Sequence, residues 1–324
     1  FRQGVQQYLT KFSYQNAELD DFIGSLAKAS NLDLSQWTQE WLYKAGVNSI
    51  QAEYMCANGV ISEFQLVQRP VSDEFPTLRQ QKVKIGLLYQ RRHGLDNHQT
   101  AIVTYKGEHT EVPELVGEAC PDLVYPNIDD WGFVKVNLDK RSTNTAKQSL
   151  NKVNDPLLRS MLWQSMWDSV VEGQALLNDF INVALINAPL EQDYTILGQV
   201  ISNLYRAKTM LDLMQPAHKQ YNDKISRALS QMSLRMAMEH HQNSDFQRRW
   251  FAAYIHFSSQ SASLSHLEQL LTGKAKIKGL SLDQDLRWDI IRQLNRFDYG
   301  NASILLMQEK AKDKSPVPPA MSRT

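Results

Sequence analysis

The sequence predicts a multidomain α+β protein. A short helical N-terminal segment (1–46) leads into a small antiparallel β-sandwich (47–138), and an all-α superhelical, HEAT/armadillo-like domain (139–324) follows. Three observations lead there. Apolar residues recur at helical spacing in 1–44, the period drops from 3.6 to 2 at Val47, and helical spacing returns after Leu138. Hydrophobic residues make up 42% and charged residues 22%, a balance that folds rather than stays disordered.

Three helices are expected in the first segment. Phe1, Val5, Tyr8, Leu9 and Phe12 share one helical face, with no N-cap before Phe1, so this helix reads as cut and the chain as beginning inside a larger protein. Asn16 is the expected cap of a second helix with the stripe Leu19, Phe22, Ile23 and Leu26. Asp33 or Ser35 opens a third, with Trp37, Trp41 and Leu42 inward and Gly46 as its stop. Such short helices are marginal alone. They should dock on the β-region or leave an apolar patch exposed.

The β-region is expected to hold strands near 60–67 and 82–89, the second with Val83, Ile85, Leu87 and Tyr89 on one face. Gly94–Asn97 should turn the chain into a strand over Gln99–Tyr105, Lys106–Glu108 should turn it again, and Phe133–Leu138 should close the set. Asp155-Pro156 has the form of an N-cap followed by proline at the first helical position, and Gly173 marks that helix's end. Asp193 opens another helix, and more are expected near 217–238, 244–259, 262–272, 283–297 and 301–311. Successive helices with short loops suggest a superhelix, although no clean repeat is visible. Residues 313–324 read as a loop or ragged end.

Charge limits the partners. Lys+Arg and Asp+Glu both number 35, so no basic excess calls for nucleic acid. The longest apolar stretch, Trp250–Ile255, is far short of the roughly 20 residues that span a bilayer, so no membrane partner is expected. No basic leader with an apolar core follows Phe1, which predicts no signal peptide. The two cysteines, Cys56 and Cys120, lack the C-x-x-C spacing of a zinc ribbon or redox motif and read as reduced thiols of a cytoplasmic protein.

Motifs for chemistry are missing. None of the eight histidines is followed by Glu, so the His-Glu-x-x-His zinc site is absent. No phosphate-binding glycine loop or Gly-x-Ser-x-Gly elbow occurs. His240-His241 reads as a solvated helix end, since neighbours on a helix diverge by about 100°. Asp20-Asp21 suits a helix first turn and Asp129-Asp130 a loop, so neither pair reads as an acid–base dyad. The pairs Trp37/Trp41 and Trp163/Trp167 suit packing better than a sugar or peptide groove. Arg248-Arg249-Trp250 and Arg287-Trp288 admit Arg–Trp stacking, and Arg287 is the one candidate substrate-facing residue.

Five groups of residues together carry a resemblance. Phe1-Arg2-Gln3-Gly4 through Tyr8 with Phe12–Ala17 is the first. Asp33–Trp37, Trp41-Leu42 and Ala45-Gly46-Val47-Asn48 form the second. Asp122–Asn127 with Trp131–Val136, then Asp155–Arg159 with Leu162-Trp163 and Trp167-Asp168, are the third and fourth. Gly279-Leu280 with Asp283 and Asp285–Trp288 is the last. In this order they resemble the C-terminal portion of the aminopeptidase N family of zinc metallopeptidases (gluzincin type).

That resemblance implies a four-domain parent hydrolase that removes N-terminal residues from peptides. Its catalytic domain would carry Gly-Ala-Met-Glu-Asn, His-Glu-x-x-His, a downstream Glu and an oxyanion-stabilising Tyr. None of these motifs is present, so no catalytic or metal residue is carried over. Residues 1–46 would be the last helices of the thermolysin-like catalytic domain, 47–138 a β spacer, and 139–324 an incomplete helical bowl over the active site. Zinc would belong to the parent and not to this chain, which is expected to be inactive alone. Its partners would be peptides and the missing N-terminal and catalytic domains. The alternative reading is a stand-alone helical scaffold that binds proteins.

Overall fold

In the computed structural model, residues 1–92, 94–214 and 218–313 are described. The expected end loop beyond Asp313 and the first residue of the expected 217–238 helix lie outside the described residues. The chain divides into two compact units, Phe1–Ala146 and Lys147–Thr324.

The first unit opens with α1 (Arg2–Lys11), α2 (Leu19–Ser30) and α3 (Ser35–Trp41). Glu18 caps α2 in place of the expected Asn16, because Asp21 reaches back to the Glu18 amide in a capping box. The α1 stripe is largely unburied: Phe1 is 87% and Leu9 62% exposed. The buried residue of α1 is Gly4, which lets the helix close on Leu26 of α2; a Cβ there would lie 2.9 Å from the Leu26 Cα. α3 also departs from expectation. Trp37 and Leu42 are exposed and Thr38 is buried, since a two-turn helix presents only a narrow inner face. It ends at Trp41, well before Gly46.

Two small sheets follow. β1 (Ser49–Ala57), β2 (Val60–Arg69), β5 (His109–Glu111) and β7 (Lys135–Asn137) form one, ordered β5-β2-β1-β7; β3 (Gln81–Arg91), β4 (Gly94–Tyr105) and β6 (Leu123–Tyr125) form the other, ordered β4-β3-β6. Three expectations change here. β7 pairs with β1 in parallel, so the first sheet is mixed rather than antiparallel. Gly94–Asn97 belongs to β4, paired with Leu88–Arg91, in place of the expected turn. A register shift between Leu87 and Leu88 lets both side chains be fully buried, which breaks the expected alternation.

The two cysteines are not thiols. Cys56 at the end of β1 and Cys120 form a disulfide across 64 residues of sequence, which corrects the reduced reading. Spacing rules detect local motifs, whereas this pairing is made by the fold. The stretch 117–120 lies along the start of β2, with the Ile61 amide donating to the Glu118 carbonyl at 2.8 Å and the Cys120 amide to the Gly59 carbonyl at 2.9 Å.

The end of α3 is clasped from the β-region. Arg79, only 3% exposed, donates to the carbonyls of Glu40, Lys44 and Ala45 and lies 5.3 Å over the Trp41 ring. Trp41 also meets Phe133 at 6.4 Å. So α3 docks, while Phe1, Leu9, Trp37 and Leu42 stay exposed.

Nine helices follow the sheets among the described residues. They are α4 (Lys140–Ser149), in which the division between units falls, α5 (Pro156–Val171), α6 (Leu177–Asn187), α7 (Tyr194–Leu213), α8 (Lys219–Glu239), α9 (Ser244–Phe257), α10 (Ser261–Leu271), α11 (Gln284–Arg296) and α12 (Ala302–Lys312). The expected caps hold: Asp155 accepts from the Leu157 amide and Asp193 from those of Thr195 and Ile196. In the second unit α5, α7, α9 and α11 touch in sequence as one layer, and α6 packs beside α8 in another. Trp163 and Trp167 are buried against Phe180 at 5.9 and 5.0 Å, which settles them as core.

Candidate functional site

The α7–α9–α11 layer leaves a narrow polar stripe uncovered. On α9 this stripe is Arg248, Arg249, Ala252 and His256, and on α11 it is Asp285, Asp289, Arg292 and Arg296. Spacings of three and four hold each set on one helical face. Between these helices and α7 lies a cluster of perturbed groups.

His256 is its centre. Its ring lies 3.9 Å from the Tyr205 ring, centroid to centroid. Burial, then the charges of Arg296 and Lys208, push its pKa down to about 4, so the imidazole is neutral at pH 7. Burial and the nearby Asp289 carboxylate raise the Tyr205 phenol, against the opposing charge of Arg249. Burial also raises Asp289, although Arg292 ion-pairs with it at 3.1 Å. On the other side Asp212 gathers Lys208, Arg296 at 3.6 Å and the Asn222 amide at 2.8 Å.

Arg249 packs on α7. Its guanidinium lies 3.5 Å from the Tyr194 ring centroid and donates to the Tyr194 carbonyl at 3.0 Å. It passes over Gly198 of α7, where a Cβ would sit 1.7 Å from its Nη1. The expected Arg–Trp stacking gives way to Arg–Tyr stacking, because Trp250 points into the core.

Arg287 lies elsewhere. Its Nε and Nη2 donate to the Glu309 carboxylate at 2.6 and 2.5 Å, and its Nη1 donates to the Leu271 carbonyl at 3.3 Å. Glu309 holds the Arg287 pKa up and is itself held down by the pair. The structure thus joins α11 to α12 through Arg287 and does not bring it into the His256 cluster.

A cleft of about 490 Å³ opens beside the N-termini of α5 and α7, lined by Asn151, Asn154, Trp163 and Asn187 among others. Of its charged residues, Arg159 and Glu191 form a bidentate pair and Asp193 caps α7. Asp20-Asp21 sits in the first turn of α2, and Asp129 pairs with Lys84 at 2.7 Å, so neither carboxylate pair forms a dyad.

The chemistry available at the stripe is recognition. A neutral imidazole, a protonated phenol and partly exposed guanidinium groups can hydrogen-bond to a polar chain. Among the described residues no three His, Cys, Asp or Glu side chains come together as metal ligands. Among them, too, no helix is long and apolar enough to cross a membrane.

Known proteins are similar to this chain in sequence. The family described as the ERAP1-like C-terminal domain matches residues 123–318. The chain belongs to this family. Over 320 residues, 96% of this chain, it is 29% identical to Aminopeptidase N of Streptomyces lividans. Over 222 residues, 67% of the chain, it is 22% identical to Tricorn protease-interacting factor F2 of Thermoplasma volcanium. These stretches cover 37% and 24% of the two relatives, so the chain matches well under half of the length of either. The ERAP1-like C-terminal domain match begins inside the β-region, and the similarity to Aminopeptidase N takes in the helices and strands before it as well.

The sequence marked Arg249 for the wrong partner and passed over Asp212, Lys208 and Asp289. The repeating polar positions on α9 and α11 were the available signal.

Proposed function

We propose that this chain is the non-catalytic C-terminal portion of a zinc-dependent aminopeptidase that removes N-terminal residues from peptides. In this reading residues 1–46 close the catalytic domain, 47–138 form the β spacer, and 139–324 form a helical bowl over the active site. The polar stripe on α9 and α11 contacts the distal part of the bound peptide. Zinc belongs to the parent enzyme and is not bound by this chain. Arg287 ties α11 to α12 through Glu309. The observation that carries the reading is the similarity to Aminopeptidase N over 96% of the chain, across helices, sheets and helical region in one order. The Cys56–Cys120 disulfide favours an oxidising compartment over the cytoplasmic one that two free thiols suggested.

The test has two arms. The purified chain should bind no stoichiometric zinc and cleave no aminoacyl-anilide; robust hydrolysis by it would refute the reading. In the parent enzyme, Arg292→Ala with Arg296→Ala should raise KM for long peptides several-fold and leave aminoacyl-anilide turnover unchanged. Unchanged KM for both substrate lengths would remove the stripe from peptide contact.

A further inference from the structure

The disulfide has two unlike ends. Cys56 is exposed. Cys120 is half-buried, and the Arg141 guanidinium touches it, with Nη1 3.0 Å from Sγ. Arg141 also reaches Asp122 at 3.3 Å, so the carboxylate shares the cation with the sulfur.

We propose that this disulfide is a thiol-exchange and S-thiolation site for a low-molecular-weight thiol, which attaches to Cys56 while Cys120 departs. The incoming thiolate attacks the Cys56 Sγ. A new S–S bond forms there as the old one breaks, and the electron pair of the broken bond leaves on Cys120 as a thiolate. Arg141 is placed to stabilise that charge, and a more stable thiolate leaves faster. No net oxidation occurs. In reverse, the Cys120 thiolate attacks the Cys56 Sγ, expels the small thiol and restores the disulfide.

The surroundings suit a reversible reaction. The backbone bonds between 117–120 and 59–61 do not depend on the disulfide, and the Tyr89 hydroxyl adds a bond to the Ala119 carbonyl at 2.7 Å. Arg141 is positioned independently too. Its helix α4 is fixed to the segment after Cys120 by Thr145 Oγ1 donating to the Asp122 carbonyl at 2.7 Å and the Val124 amide donating to Ser142 Oγ at 2.8 Å. Opening the disulfide therefore leaves the two sulfurs close and the guanidinium in place.

The experiment is a short native incubation of the whole chain with reduced glutathione, followed by acid quench, N-ethylmaleimide and peptide mass mapping. Glutathione is expected on Cys56 and maleimide on Cys120, with the opposite pattern at least about tenfold rarer. Arg141→Gln should slow the exchange about three- to tenfold and erode the preference, and Arg141→Lys should restore part of both. Asp122→Asn, which frees the guanidinium for the sulfur, should speed the exchange and serves if Arg141 variants fail to fold. Adduct on Cys120 as often as on Cys56 would overturn the proposal. So would an absence of adduct, maleimide capture of both cysteines without added thiol, or folded Arg141 and Asp122 variants that exchange at the parent rate.

Discussion

Arg159 on α5 and Glu191 in the turn before α7 form a bidentate ion pair, with Nη2 to Oε1 at 2.9 Å and Nε to Oε2 at 3.2 Å. The pair is largely dry, at 15% and 4% side-chain exposure. The carboxylate also accepts from the Gln192 and Asp193 amides, and the other guanidinium nitrogen donates to the carbonyls of Val153 and Asn154. Glu191→Ala is therefore expected to cost about 3–5 kcal/mol, because it strands a buried cation. Urea unfolding checks this, and the double variant Arg159→Met/Glu191→Met should lose clearly less.

His256 makes stability pH-dependent. Its folded pKa of about 4 lies below the ordinary 6.5, so between these values the unfolded chain holds more protons. Stability should therefore fall as pH drops from about 6.5 towards 4, by at most ~3 kcal/mol from this group. His266 is shifted the same way by burial, so wild type must be compared with His256→Gln. The variant should show a visibly shallower loss over that window in chemical denaturation; an identical slope would mean His256 protonates freely in the folded state.

Arg287 and Glu309 separate a structural role from a binding one. Glu309 is 4% exposed at its side chain, so Arg287→Ala leaves an unpaired buried carboxylate and should cost about 3 kcal/mol. Arg287→Met with Glu309→Met should recover much of that loss. If parent-enzyme peptide affinity recovers with it, Arg287 acts through packing. Affinity that stays low in a stable double variant would instead place Arg287 against the peptide.

Gly4→Ala should destabilise although alanine favours helices. The new methyl would meet the Leu26 Cα at 2.9 Å and the Ser25 carbonyl at 3.2 Å, so backbone must move. A loss of about 1–3 kcal/mol is expected. Hydrogen exchange should show it as faster opening of α1 and α2. Gly198→Ala offers the contrast, since only the flexible tip of Arg249 need swing aside.

Local chemistry was the legible part of this molecule. Asp155, Asp193 and Asp283 cap helices through contacts two or three residues away, so each can be read from its own neighbourhood. Long amphipathic helices such as α7, α9 and α11 follow from their apolar spacing. The unreadable features are those made by distant residues. The β1–β7 pairing, the Arg79 clasp on α3 and the Cys56–Cys120 bond join positions dozens of residues apart. The polar stripe fell between the two cases. His256 and Arg249 sit four and three positions from Ala252 on one face, but the approach of Tyr205 and Asp289 depends on how three helices pack.

The parallel pairing of β1 with β7 has a mechanical consequence. Ser49 lies opposite Lys135 and Gln51 opposite Asn137, so the chain goes into the β-region and comes out of it through adjacent strands. Tension applied to the chain before Ser49 and after Asn137 would load that three-residue ladder in shear, while the longer β1–β2 and β3–β4 pairings lie off the direct line of force. The ladder would then be the weak link of the β-region under load, yielding before the remaining strands are strained.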